Sequence, residues 1–250
     1  MALFKSGNPS LKNVFEKVGR VTDASQAMTI NGTIGKTGIL LALVAFGAIV
    51  TWNMFGSLAY SGFVMPLFWI GLIGGLISAL VITFKKELAP YLSPVYAVLE
   101  GFVLGGLSVM LNAYYPGIAL QAIMLTFAVT TMMLALYYFK VIRATQKFRS
   151  VVVIATAAIA VFYIVSLILS FFGITSPMHA ATPLGIGISV FVVIIAALNL
   201  ILDFDFIEQG AQYQAPKFME WYGAFGLMVT LIWLYIEILR LLAKIAASSR

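Results

Sequence analysis

Five carboxylates stand in or beside apolar runs of this chain: Glu100, Asp203, Asp205, Glu208 and Glu220. A carboxylate taken out of water is costly unless it is paired, protonated or hydrated, so acids in such places are the residues with chemistry to offer. Between positions 203 and 220 four acids meet a single base, Lys217. Carboxylates crowded in this way attract hard cations through their oxygens and raise one another's proton affinity, the chemistry of a pH-sensitive cation path. Asp203 shares its helical face with Asn199 and Ala196, so it is expected to look into a bundle beside an amide, whereas Asp205 is turned from it by about 200°. For Asp205, Glu208 and Glu220 the plainer alternative is a solvated acidic turn. Glu100 lies roughly 9 Å in from the start of its span and adjoins Gly101; it is either a partner for Asp203 or a protonated hydrogen-bond donor between helices. Glu237 stands about 25 Å along the helix from Glu220, hence at the outer side, where Arg240 at i+3 is expected to pair with it.

Other chemistries are short of residues. The chain has no cysteine and one histidine, His179, which excludes thiolate metal sites, cysteine nucleophiles and any multi-histidine centre within one chain. His179 falls in an outer loop and reads as a surface residue. Gly185 and Gly187 lack the third glycine of a dinucleotide fingerprint. Asn31-Gly32-Thr33 matches a glycosylation sequon on the expected cytoplasmic side. Lys244 is at the end of the last span, too far along for a retinal lysine. No enzyme activity, resident cofactor or nucleic-acid partner is expected; calcium enters only as a permeant ion that Asp203 could ligate.

The elements that must position these acids follow from composition. Of 250 residues 62% are hydrophobic and 10% charged, and mean hydropathy is +1.04. Soluble domains carry about 25% charged residues. The surface must therefore meet hydrocarbon, and long apolar runs without alternation argue for helices over a β-barrel. Seven segments are long enough to span, at about 37–55, 64–84, 93–112, 117–138, 151–172, 184–204 and 217–243. The fold class is all-α, a polytopic bundle of seven transmembrane helices in a lipid bilayer, with a polar N-terminal arm over 1–35 and the membrane domain over 36–250. Leu11, Val14, Phe15 and Val18 fall on one face of that arm, either as a short surface helix or within a flexible tail. No signal peptide is expected. With the N-terminus in the cytoplasm, all Lys and Arg except Arg240, Lys244 and Arg250 lie inside, an N-in, C-out orientation. Small residues four apart, Gly71, Gly75 and Ala79 in the second span and Gly101 and Gly105 in the third, mark close helix contacts.

The run 196–243, with Pro94-Val95-Tyr96-Ala97-Val98-Leu99-Glu100-Gly101 in the third span and residues 28–41 at the first, resembles the bacterial branch of the Bax inhibitor-1/YccA membrane family. The likeness covers nearly the whole chain. It rests on the acidic end of span six, the Glu220-Trp221-Tyr222 entry to span seven and the Glu-Gly pair in span three. It implies an inner-membrane seven-helix bundle whose last helix is surrounded by the other six, and a pH-sensitive calcium leak controlled by one aspartate at the end of helix six and another in helix seven. The first of these falls on Asp203, in Leu202-Asp203-Phe204-Asp205-Phe206-Ile207. The second falls near Thr230, where there is no acid, so either Glu220 or Glu100 substitutes or the two-carboxylate switch is absent. The alternative is a non-conducting scaffold that binds other membrane proteins such as quality-control proteases, with the basic arm and glycine-rich faces as its support.

Overall fold

The computed structural model describes residues 15, 18–57, 60–173 and 180–249. Among them lie seven long helices: α1 (Ile30–Gly56), α2 (Val64–Phe84), α3 (Ala89–Tyr114), α4 (Ile118–Tyr138), α5 (Gln146–Phe171), α6 (Pro183–Tyr213) and α7 (Met219–Ser248). Each is long and apolar enough to cross a bilayer. Among the described residues there is no strand, only an isolated bridge between Ala27 and Pro216. His179 lies outside the described residues, as do Leu11 and Val14 of the arm.

Several helices run past the hydropathy bounds, α3 from Ala89, α5 from Gln146 and α7 to Ser248, and two further differences bear on the acids. α1 starts at Ile30, ahead of the boundary at 35, because Thr29 is extended and its hydroxyl accepts from the Gly32 N–H at 3.0 Å, satisfying an otherwise orphaned donor. α6 runs on to Tyr213, so Asp205 and Glu208 stand on helix and not in a loop. Each acid there accepts a bond from an amide one turn later, Gln209 to Asp205 at 2.7 Å and Gln212 to Glu208 at 3.1 Å. Hydropathy ends a span where charge begins; backbone hydrogen bonding does not.

The described chain divides into two compact units, Met1–Met110 with Asp203–Val229, and Leu111–Leu202 with Thr230–Arg250. In the first, α1 and α3 touch backbone to backbone. A Cβ on Gly101 would lie 2.9 Å from the Cα of Gly47, and one on Gly105 2.8 Å from the Cα of Ala48. A Cβ on Gly71 would lie 2.5 Å from the Leu99 carbonyl oxygen, which brings α2 equally close to α3. The small residues at four-residue spacing thus sit where helices meet, in the manner of membrane packing that depends on close approach instead of hydrophobic expulsion. The chain before α1 is tied to the α6–α7 connection: Met28 N–H donates to the Ala215 carbonyl at 2.7 Å, Val21 N–H to that of Gln214 at 3.2 Å, and Phe15 stacks on Phe206 and Tyr213.

In the second unit Ile159, Val192 and Ile195 are buried together, with Trp233 packed against them. Asn199 donates to the Thr156 hydroxyl at 2.8 Å, linking α5 and α6. α5 exposes many large apolar side chains, Ile154, Val161, Ile164 and Leu167 among them. Such a surface is stable only against lipid tails. α7 is the most buried of the seven helices.

Candidate functional site

Glu220 is fully buried in the first turn of α7. Its Oε1 accepts from both the N–H and the hydroxyl of Thr29, each at 2.9 Å, and Lys217 stands 3.3 Å away. Its Oε2 accepts from Lys36, whose ammonium also lies 5.5 Å over the ring of Trp221. A Cβ on Gly32 would run into this carboxylate. Two hydrogen bonds from Thr29 and the ammonium groups of Lys36 and Lys217 surround this one carboxylate and fix it in place. Glu220 is the joint between the N-terminus of α1 and the N-terminus of α7, where a negative charge also meets the positive end of both helix dipoles. This is a different environment from the solvated turn or proton-sharing carboxylate that its place in the sequence suggests.

The other inner acids have different surroundings. Asp203, half-buried on α6, directs Oδ1 at Gly226 of α7; a Cβ there would stand 3.9 Å from it. Glu100 on α3 is hydrogen-bonded to the Tyr96 hydroxyl one turn back, and Gly75 of α2 clears space for it, a Cβ there falling 3.0 Å from Oε1. Tyr96 in turn meets Phe225, the neighbour of Gly226, edge to face with ring centroids 5.1 Å apart. Asp203 and Tyr96 therefore address adjacent residues of α7, Gly226 and Phe225, from α6 and α3, while the Glu100 carboxylate itself faces Gly75 of α2. Asp205 and Glu208 are bonded within α6 to Gln209 and Gln212. The acids that share a level in the sequence are dispersed among separate partners, and among the described residues no three acids or histidines come together as a metal-holding group.

A second ionic group lies in the other unit. Glu237 of α7 is 2% exposed; its Oε1 accepts from Tyr163 of α5 at 2.7 Å and from Arg240 at 3.3 Å. The Arg240 guanidinium lies 5.6 Å over the Tyr163 ring, which explains how a cation three residues along the helix is held in place. Lys244, one turn beyond Arg240, donates to the Ser189 hydroxyl at 2.6 Å and to the Gly185 carbonyl at 3.2 Å.

Sequence reasoning missed Lys36, Thr29, Tyr163 and Lys244 as members of these groups. Lys36 stands one residue ahead of the apolar run at 37–55, so hydropathy left it outside the span, and its acid is 184 positions away, where local pattern does not identify it.

A chain of seven apolar helices with ionic groups at its helix ends and inside its units is a polytopic helical membrane protein. It belongs to the Bax inhibitor 1 like family, whose model matches residues 8–247. No curated protein and no solved structure matches it.

Proposed function

We propose that this protein is a passive, pH-modulated cation leak, with calcium as the permeant ion, in a bacterial inner membrane with its N-terminus in the cytoplasm. It is a conducting protein and not an enzyme. The observation that carries the reading is that Asp203 reaches Gly226 of α7 while Tyr96, the hydrogen-bond partner of Glu100, meets the adjacent Phe225. Each carboxylate stands at a glycine, Asp203 at Gly226 and Glu100 at Gly75, so its oxygens can ligate a hard cation without a bulky side chain in the way. Asp203 is the cation ligand and gate, and Glu100 its partner. Glu220, bound by Thr29, Lys36 and Lys217, is given a positioning part.

Protonation of either acid removes charge from the path, so cation flux changes with pH. The test is calcium flux into proteoliposomes between about pH 5 and 8, where carboxylate pairs and histidine-range groups titrate. Wild type is expected to show a pH-dependent rate that Asp203→Asn and Glu100→Gln each flatten. Equal rates for wild type and both variants across that range overturn the reading.

The scaffold alternative draws less support. Gly71, Gly101 and Gly105 are filled by the chain's own backbone, and the arm's Phe15, Arg20 and Val21 are engaged by the α6–α7 connection, with Arg20 donating to Gln214 at 2.6 Å. These residues are engaged by the chain itself; the rest of the arm, with Lys5, Lys12 and Lys17, lies outside the described residues.

A further inference from the structure

In the second unit Tyr163, Ser189, Glu237, Arg240 and Lys244, with Leu111 as apolar wall, line one cavity of about 190 Å³. Its lining carries two bases and one acid. Glu237 is held by Tyr163 and Arg240 on a single oxygen and also acts electrostatically on Lys244, whose ammonium donates to Ser189 and to the Gly185 carbonyl. The cavity thus has a formal surplus of one positive charge among otherwise apolar helices. In a medium of low polarity such a surplus concentrates anions.

The donors are also arranged in advance. Glu237 and Ser189, at 2% and 1% exposure, are the buried part of its lining. Arg240 is fixed between the Glu237 carboxylate and the Tyr163 ring, yet its side chain is 44% exposed, so the planar fork of N–H groups is reachable from the mouth. A guanidinium fork beside an ammonium and a hydroxyl matches the tetrahedral oxygens of phosphate. The volume, against roughly 30 Å³ per water, suits one such group and little more. The level is suitable too. Ser189 lies in the second turn of α6, Lys244 in the last turns of α7 and Tyr163 about two turns before the end of α5, the depth at which a span meets lipid headgroups.

We propose that this cavity binds one phosphate group through Arg240, Lys244 and Ser189, supplied either as inorganic phosphate or as the phosphodiester of an anionic lipid headgroup. The site stands apart from the leak reading and does not depend on it.

Full-length protein in a neutral detergent is titrated with inorganic phosphate and followed by thermal unfolding. In a parallel arm, retention of phosphatidylglycerol against phosphatidylcholine is read by native mass spectrometry. Binding of at least one of the two phosphate sources to wild type is expected, and which one binds identifies the source. Arg240→Gln and Lys244→Gln each weaken that binding by about ten- to a hundredfold, the loss of one charge-assisted hydrogen bond. Glu237→Gln keeps the acceptor for Tyr163 but removes the opposing charge, and so tightens binding. A purely structural role for Glu237 predicts the reverse. If the basic variants fail to fold, Ser189→Ala and Glu237→Gln decide the matter by weakening and tightening respectively. Absence of binding by both phosphate sources, or equal binding by wild type and the folded variants, overturns the proposal.

Discussion

Thr29 and Glu220, 191 positions apart, are joined by two hydrogen bonds of 2.9 Å to the same carboxylate oxygen, one from the Thr29 backbone and one from its hydroxyl. The same threonine caps α1 by accepting from Gly32. The start of the first helix and the start of the last are therefore one structural unit, closed by Lys36.

Removal of the Glu220 charge should unfasten it. Glu220→Gln retains an acceptor for Thr29 but leaves Lys36, 17% exposed, without its counter-ion. A cost of about 2–3 kcal/mol is expected, a fall in Tm of roughly 5–10 °C for a chain of this size. Lys36→Met should cost a similar amount, and the double variant less than the sum, because both remove one interaction. An unchanged Tm for Glu220→Gln would show that the joint contributes nothing.

Glycines in the first unit separate into two kinds. Gly101→Ala places a methyl 2.9 Å from the Gly47 Cα and forces α1 and α3 apart, at a cost of about 1–3 kcal/mol. Gly38→Ala, also in a helix, meets nothing within 4 Å and should be neutral or stabilising by up to about 1 kcal/mol. Thermal unfolding of the two single variants checks the contrast, and equal effects would contradict the close approach.

The aspartates of Asp203-Phe204-Asp205 should differ in flux. Asp205 is satisfied by Gln209 on its own helix, while Asp203 addresses α7. In proteoliposomes Asp205→Asn is expected to keep the wild-type rate and pH dependence that Asp203→Asn loses. Matching behaviour of the two variants would remove the distinction.

In the second unit, Asn199→Ala breaks the bond to Thr156 between α5 and α6. Polar bonds between membrane helices average about 0.6 kcal/mol and reach about 1.7, so a small loss of stability is expected. Tyr163→Phe removes the 2.7 Å bond to a nearly buried carboxylate and should cost more, about 1.5–3 kcal/mol. Unfolding midpoints of the two variants rank the bonds, and the reverse order would refute it.

Membrane class, seven spans, and the contacts at Gly71, Gly101 and Gly105 were legible in the residues, because hydropathy and four-residue spacing are local properties that one helix displays by itself. The extent of α6 was not, since Asp205 and Glu208 lower hydropathy while remaining in a hydrogen-bonded helix. Nor were the partners of the acids. Whether Glu220 meets water, Asp203 or Lys36, and whether Glu237 meets Arg240 alone or Tyr163 as well, depends on which helix faces are brought together. A carboxylate's place in the sequence limits how far along its helix it lies, but its charge state and work are governed by donors within about 3 Å, and those arrive from residues as many as 191 positions away.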